Sequence, residues 1–436
     1  MSLETPEKIR MLQKKLYSKA KQEPNYRFYL LYDKIYREDI LAHGWALAKA
    51  NAGAPGVDGQ SFEQIESQGL EKWLNGIRED LRNKTYKPEP VRRVMIPKAG
   101  GGQRPLGIPT IRDRVVQTAT KLVIEPIFEA DLEPEAYGYR PRRSAADAIQ
   151  KVHQHICDGY TDVVDADLSK YFDTIPHGEL MKSLARRVVD RDVLHLIKMW
   201  LKVPVEERDS NGNSRTMGGS GHTRGTPQGG VISPLLANIY MNRFLKYWRL
   251  SQRGEQFRAR IVNYADDFVI LSRGCAAEAA EWTRRVMDKL GLQLNERKTC
   301  LRDARQERFD FLGYTFGPHW YVPKNHRYLG ASPSKKSVSR VKTKVRDLLR
   351  PGNVGTWDEV RDQLNRVLRG WSGYFSYGTR SQAYQSVNRY VHDQVCHFLR
   401  RRQKLPSRGT ARFSSDVIAG PLGILRLTPR PRGVGA

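Results

Sequence analysis

Two adjacent carboxylates, Asp266 and Asp267, sit inside an apolar run from Ile261 to Leu271. Their flanks are Val262, Phe268, Val269 and Ile270. Burying paired like charges is costly unless a cation stands between them. The run reads as two strands with the acidic pair at the turn. A third acid, Asp167, closes another strand-like run, Thr161 to Asp167, about one hundred residues earlier. Carboxylates on neighbouring strands can hold two Mg2+ ions, which prefer oxygen ligands and phosphate-bearing substrates. Two such ions clamp the attacking and leaving oxygens of a phosphoryl transfer. Asp165 lies two residues before Asp167, on the same strand face. It is either a third ligand or, the commoner use, half of a surface ion pair. Asp173 reads as a cap or an ion-pair partner.

The rest of the composition says what such a centre would act on. The chain has 436 residues, with 74 Lys and Arg against 47 acids and a formal net charge of +27. That excess suits a polyanion such as nucleic acid, and twenty Tyr and eight Trp argue against a simple basic tail protein. The length predicts two to four domains. No stretch of eighteen apolar residues exists, so no membrane span or membrane partner is expected. Met1 to Arg10 lacks the apolar core of a secretory signal. The four cysteines, Cys157, Cys275, Cys300 and Cys396, form no C-x-x-C pair. They read as core fillers in a reducing cytoplasm. The ten histidines make no metal set, since His153 and His155 diverge on a helix and His177 reads as structural.

Several elements must position these groups. Residues 1–60 read as helical and basic, ending in turn chemistry from Asn51 to Gly59. Val91 to Ile96 is strand-like, and Gly100 to Gly102 marks a hairpin tip. Helices are expected at 111–128 and 144–157, a strand at 161–167, and a helical zone at 179–202. Asp209 to Gly221 reads as a loop. A helix at 231–250, an acidic hairpin at 259–272 and a helix at 276–290 follow. Beyond 330, apolar residues recur at three to four from Val338, from Val360 and from Tyr384, predicting three helices. Thr356 and Glu359 make a capping box for the second. From Arg401 to Ala436, eight Lys or Arg face one acid among prolines and glycines. That stretch is expected to be poorly structured or clamped to a partner.

The order of strand, helices and acidic hairpin resembles the palm of template-directed polymerases. More specifically, the chain resembles a bacterial group II intron-encoded reverse transcriptase and maturase, without a paired-cysteine endonuclease domain. The motifs that carry this run in order from about Tyr26 to the tail. They include Gln103-Arg104-Pro105-Leu106-Gly107, Tyr171-Phe172-Asp173, Gly225 to Gly230, Tyr264 to Asp267, Gly291 to Lys298 and Phe311-Leu312-Gly313-Tyr314.

The resemblance implies an α+β right-hand polymerase. It divides the chain into a basic extension (1–60), fingers (61–160), palm with part of the fingers (161–330), a helical thumb or maturase domain (331–402) and a basic tail that is a candidate for DNA binding (403–436). Asp167, Asp266 and Asp267 become catalytic, with Asp167, Asp266 and the Leu168 carbonyl as Mg2+ ligands. Lys98 and Arg104 would hold the triphosphate, a task for which Arg suits bidentate contact. Phe172 would lie beneath the sugar and exclude a 2′-hydroxyl, with Tyr171 as the alternative one residue away. Gln228 and Gly229 would meet nucleotide and template, and Lys298 the leaving pyrophosphate. The hairpin at 311–314 would grip the primer end. Lys335, Lys336, Arg340, Lys342, Lys344 and Arg346 would lie along one helix that tracks a duplex backbone, while Trp371 is core.

The implied reaction is RNA-templated extension of a DNA primer with deoxynucleoside triphosphates and two Mg2+ ions. The implied second role is binding group II intron RNA to assist splicing and mobility, in the bacterial cytosol or nucleoid. An intron-free reverse transcriptase of DNA repair or phage defence is the alternative. A dead-palm binding protein and a nucleotide cyclase are further rivals, to be separated by primer extension.

Overall fold

Capping residues and apolar spacing explain where most helices begin and which faces they bury. In the computed structural model, residues 3–97, 102–208, 214–219, 221–227, 229–321, 325–404 and 412–429 are described. The chain opens with α1 (Glu7–Gln22), α2 (Tyr32–Ile35), α3 (Glu38–Ala50), α4 (Phe62–Ser67) and α5 (Leu70–Arg82). Ser61 and Gln64 form a capping box that starts α4. Strands β1 (Val91–Pro97) and β2 (Gln103–Ile108) then make an antiparallel hairpin.

Next come α6 (Ile111–Glu129), α7 (Ala145–Cys157) and β3 (Asp162–Asp167). The short α8 (Tyr171–Thr174) leads into α9 (His177–Ala185) and α10 (Arg191–Leu201). The helical zone expected at 179–202 is thus two helices. The break is fixed by Asp190, whose carboxylate caps α10 at Asp192 and Val193 and also accepts from the backbone of Leu31 and Tyr32.

β4 (Val205–Arg208) comes just before the segment read as a loop, Asp209 to Gly221, and that segment contains β5 (Ser214–Met217). β4 runs parallel to β1, giving the sheet order β2-β1-β4-β5. β5 is a polar edge strand, so no hydrophobic alternation announced it.

A long helix, α11 (Ser233–Leu250), and α12 (Arg253–Gln256) precede β6 (Ala259–Tyr264) and β7 (Asp267–Ser272). After α13 (Ala276–Lys289) and β8 (Cys300–Asp303), the central sheet is complete in the order β6-β7-β3-β8, antiparallel throughout. Then β9 (Phe309–Phe311), β10 (Tyr314–Tyr321) and β11 (His326–Pro333) form a second antiparallel sheet. Three longer helices, α14 (Lys335–Leu348), α15 (Trp357–Tyr374) and α16 (Ser381–Arg402), and the short α17 (Ser415–Ala419) close the chain. The Thr356–Glu359 capping box is present at α15.

Three apolar cores hold this together. The largest joins α1–α6, α8–α11 and α13 to one face of the central sheet. A second lies between α7, the other face of that sheet and the β9–β11 sheet. The third belongs to α14–α17. Trp371 packs against the second and third, so it sits at the joint between them.

The C-terminal stretch departs from expectation. Phe413, Ile418, Ile424 and Leu427 are buried in the third core. Asn365 donates to the Gly423 carbonyl at 2.8 Å and accepts from Leu425 N–H at 2.8 Å. Asn388 does the same to both backbone groups of Leu427, at 2.8 and 2.9 Å. The four apolar residues among the charges drive the segment onto the helices. Nor are all cysteines core fillers: only Cys396 is buried, and Cys157 is exposed where α7 ends.

Candidate active site

Backbone register does what the spacing alone could not. Asp167 is paired directly with Asp267 across β3 and β7. Tyr264 pairs with Asp267 across β6 and β7, leaving Ala265 and Asp266 as a two-residue turn. Directly opposed residues in such a ladder have Cα atoms about 5 Å apart. Three carboxylates from distant stretches therefore share one sheet end.

The turn is itself constrained. Ala265 adopts φ +58°, and Asn263 donates to its carbonyl at 2.9 Å. Gly138 lies directly behind, where a Cβ would stand 2.6 Å from the Ala265 nitrogen. Asn238 donates to the Gly138 carbonyl at 2.7 Å. Sequence reasoning missed both Gly138 and Asn238. The only available signal was a glycine between Tyr137 and Tyr139, which many loops share.

Electrostatics mark the cluster. Burial pushes Asp267 up to about 7, with Asp266, Asp167 and Asp165 adding and Lys298 opposing. Burial also raises Asp266, partly offset by Arg104 and Lys298. Asp165 is pushed up to about 6, mainly by burial. The ion pair expected for Asp165 is not made among the described residues. Arg302, the positive charge that most opposes the shift at Asp165, pairs with Glu307 at 3.2 Å.

Lys298 reaches this site directly. Its Nζ donates to Asp167 Oδ2 at 2.8 Å, and Asn295 Nδ2 reaches the same oxygen at 3.2 Å. That hydrogen bond is the main cause of the raised lysine pKa. The segment is held in place because Asn295 N–H donates to the Asp167 carbonyl and Ser169 N–H to the Gln293 carbonyl, both at 2.8 Å. This bridge pairs Leu168 with Leu294 but bonds through their neighbours, so the Leu168 carbonyl points to the opposite side.

Among the described residues, no three of His, Cys, Asp and Glu already stand as a ready-made metal cage. One oxygen of Asp167 is turned to Lys298 and Asn295. The donor set nevertheless fits Mg2+ in kind: hard carboxylate oxygens, buried together, with too little positive charge to balance them.

The surrounding residues fall into place unevenly. Tyr171 donates to the Ala237 carbonyl at 2.6 Å inside the core, and Phe172, buried in the same core, packs its ring edge-to-face against it. The Phe172 carbonyl accepts from Thr226 N–H at 2.7 Å, which ties it to the Gly225 loop. Gly229 has φ +110°, and any Cβ there would collide with the Gly107 carbonyl of β2. The backbone approaching Gly229 is thus the protein's own. Arg104 pairs with Ile96 on the hairpin, and its charge is felt at Asp266. Lys98 and Gln228 lie outside the described residues.

A cleft of about 720 Å3 opens from Asp267 past the Leu312–Gly313 turn to Arg340, Lys344 and Arg366. Tyr374 donates to the Leu312 carbonyl at 2.8 Å and Ser337 to that of Gly313 at 2.9 Å. These bonds fasten the turn to α15 and α14. Arg366 was not among the residues singled out by sequence. Lys335, Lys336 and Lys342 line a different groove with Arg308, and Lys342 is bonded to Ser386 at 2.8 Å. The basic residues of α14 therefore do not share a single track, because they occupy different sides of the helix.

Comparison with known proteins decides the family. The reverse transcriptase (RNA-dependent DNA polymerase) family profile matches residues 96–316, just over half of the chain. The chain belongs to the reverse transcriptase family. The maturase-specific domain of group II introns matches residues 338–413. Protein YkfC of Escherichia coli (strain K12) is 36% identical over 357 residues, covering 73% of this chain and 90% of its own length. The group II intron-encoded protein LtrA of Lactococcus lactis subsp. cremoris is 28% identical over 353 residues, covering 66% of this chain and 56% of its own. The chain therefore spans little more than half of LtrA. A solved telomerase from Candida albicans, in complex with a TWJ fragment of telomeric RNA, covers 83% of this chain and 71% of its own at 13% identity and TM-score 0.42. The reverse transcriptase assignment makes the protein an RNA-directed DNA polymerase with a right-hand, mixed α and antiparallel β fold. No helix among the described residues is long and apolar enough to cross a membrane.

Proposed function

We propose that the chain extends a primer 3′-hydroxyl with deoxynucleotides on an RNA template, and that it binds group II intron RNA to assist splicing and mobility. The observation that carries the first part is the direct pairing of Asp167 with Asp267, with Asp266 at the adjoining turn. Asp167 and Asp266, with the Leu168 carbonyl, would hold two Mg2+ ions, and Asp267 would support them. Bound Mg2+ supplies activation of the primer oxygen and neutralises charge at the triphosphate.

The protein's own groups do the positioning. Arg104 and Lys98 receive the triphosphate, and Lys298 stands at the Asp167 carboxylate, where it can pass to the leaving pyrophosphate. Phe172 lies under the sugar, with Gln228 and Gly229 beside the base pair. The Leu312–Gly313 turn holds the primer end against the carboxylates. Arg340, Lys344 and Arg366 carry the duplex away along the thumb. The maturase-specific match supports intron RNA as a partner. The division into domains follows the same reading: extension, fingers, palm, thumb and tail at 1–60, 61–160, 161–330, 331–402 and 403–436, acting in the bacterial cytosol or nucleoid.

Primer extension by the purified chain tests this, on primed RNA and primed DNA, with deoxynucleotides and with ribonucleotides. Extension of the primed RNA with deoxynucleotides is the expected result. Failure there, or equal use of ribonucleotides, contradicts the reading.

A further inference from the structure

The C-terminal segment builds a groove that nothing above uses. Residues 421–428 run back along α15 and α16, held by the side-chain amides of Asn365 and Asn388, which supply both a donor and an acceptor. Ile424 and Leu427 turn into the core, and Arg426 between them stays exposed. Arg426 then faces Arg369 and Arg380 across a groove of about 800 Å3, floored by Ser372, Gly373 and Ser376.

Three features point to a ligand class. Among the described residues, no carboxylate lines the groove. Arg380 is held by donation to the Ser376 carbonyl at 2.6 Å, while Arg369 and Arg426 make no ion pair among the described residues. Converging guanidinium groups repel one another until a polyanion joins them, and each can grip a phosphate with two parallel bonds. The hydroxyls of Ser372, Ser376 and Thr428 line the same groove. They provide partners for a 2′-hydroxyl, the group that separates RNA from DNA.

The groove is also separate from the primer–template cleft. Arg366, Gly370 and Tyr374 of α15 line the cleft, whereas Arg369, Ser372 and Gly373 line the groove. No residue lines both. We propose that the C-terminal segment completes a second nucleic-acid site, which binds the phosphodiester backbone of folded RNA while the cleft holds primer and template. The proposal rests on the polymerase reading and names where its RNA partner docks.

The test uses the full chain and two probes, a blunt RNA hairpin and a DNA hairpin of the same sequence, neither with a recessed 3′ end. The variants are Arg369→Ala with Arg426→Ala, and Arg426→Glu alone. Both residues are exposed, so unchanged thermal unfolding is expected for each variant. The double variant should lose roughly tenfold in affinity for the RNA hairpin, and its salt slope should fall by about two, one per arginine. Arg426→Glu should weaken RNA binding as well. Primer extension, measured on the same samples, should stay within twofold, which separates failure of the groove from failure of the polymerase reading. Unchanged RNA affinity in the double variant, parent-chain binding to the DNA hairpin as tight as to the RNA hairpin, or a parallel fall in primer extension would overturn the proposal.

Discussion

Asp267 is where burial and charge conflict most sharply. A carboxylate pushed up to about 7 in a resting site is poised for a cation that lowers it again. Phe172 is the second decisive side chain. Tyr171 spends its hydroxyl on Ala237 inside the core, which leaves Phe172 as the side chain for the proposed sugar contact. Phe172→Val should lower the preference for deoxynucleotides over ribonucleotides by about 10- to 100-fold, read as the ratio of kcat/KM values. A ratio that does not move removes Phe172 from the sugar contact. A different residue sets acid sensitivity. His155 is held down to about 4, first by burial and then by Lys151 and Arg260. The unfolded chain takes up this proton near pH 6.5. The associated stability is full above 6.5 and lost as pH falls toward 4. His155→Phe should flatten the fall of Tm across that window, measured against the parent chain. The acids and Arg104 were legible because charged residues inside apolar or proline-framed runs are costly without a use. Gly138 was not, since its reason is the backbone of a turn more than one hundred residues away.

Elements that bury one face were the readable ones. Helices α6, α7, α13, α15 and α16 followed their apolar spacing, and the acidic hairpin followed its alternation. The two helices α4 and α5 were passed over although Ser61 and Gln64 form a capping box. Strand β5 gave no signal, because an edge strand gains its order from a neighbour rather than from its own pattern. The tail misled for a related reason. Its charge and prolines suggested disorder, while Ile424 and Leu427 were few enough to overlook. Ile424→Ala should cost about 2–5 kcal/mol of thumb stability in denaturant unfolding. A cost below about 0.5 kcal/mol, the range of an exposed site, would show that the segment is not packed in solution.

At the scale of the molecule, the parts divide the work between making and holding. The central sheet gathers the carboxylates, Arg104 of the β1–β2 hairpin brings its charge to Asp266, and Trp371 joins the helical core of α14–α17 to the core beneath the β9–β11 sheet. A net charge of +27 draws nucleic acid to all of these surfaces. It cannot by itself select the end to be extended; under the proposed function that selection falls to the sheet end where Asp167 meets Asp267. The most direct measurement is therefore single-nucleotide extension on a primed RNA template by the parent chain, Asp167→Asn and Asp266→Asn, with template affinity measured alongside. The account predicts a loss of at least about a thousandfold in rate for each variant, with template affinity retained. Extension by either variant at near the parent rate would contradict it.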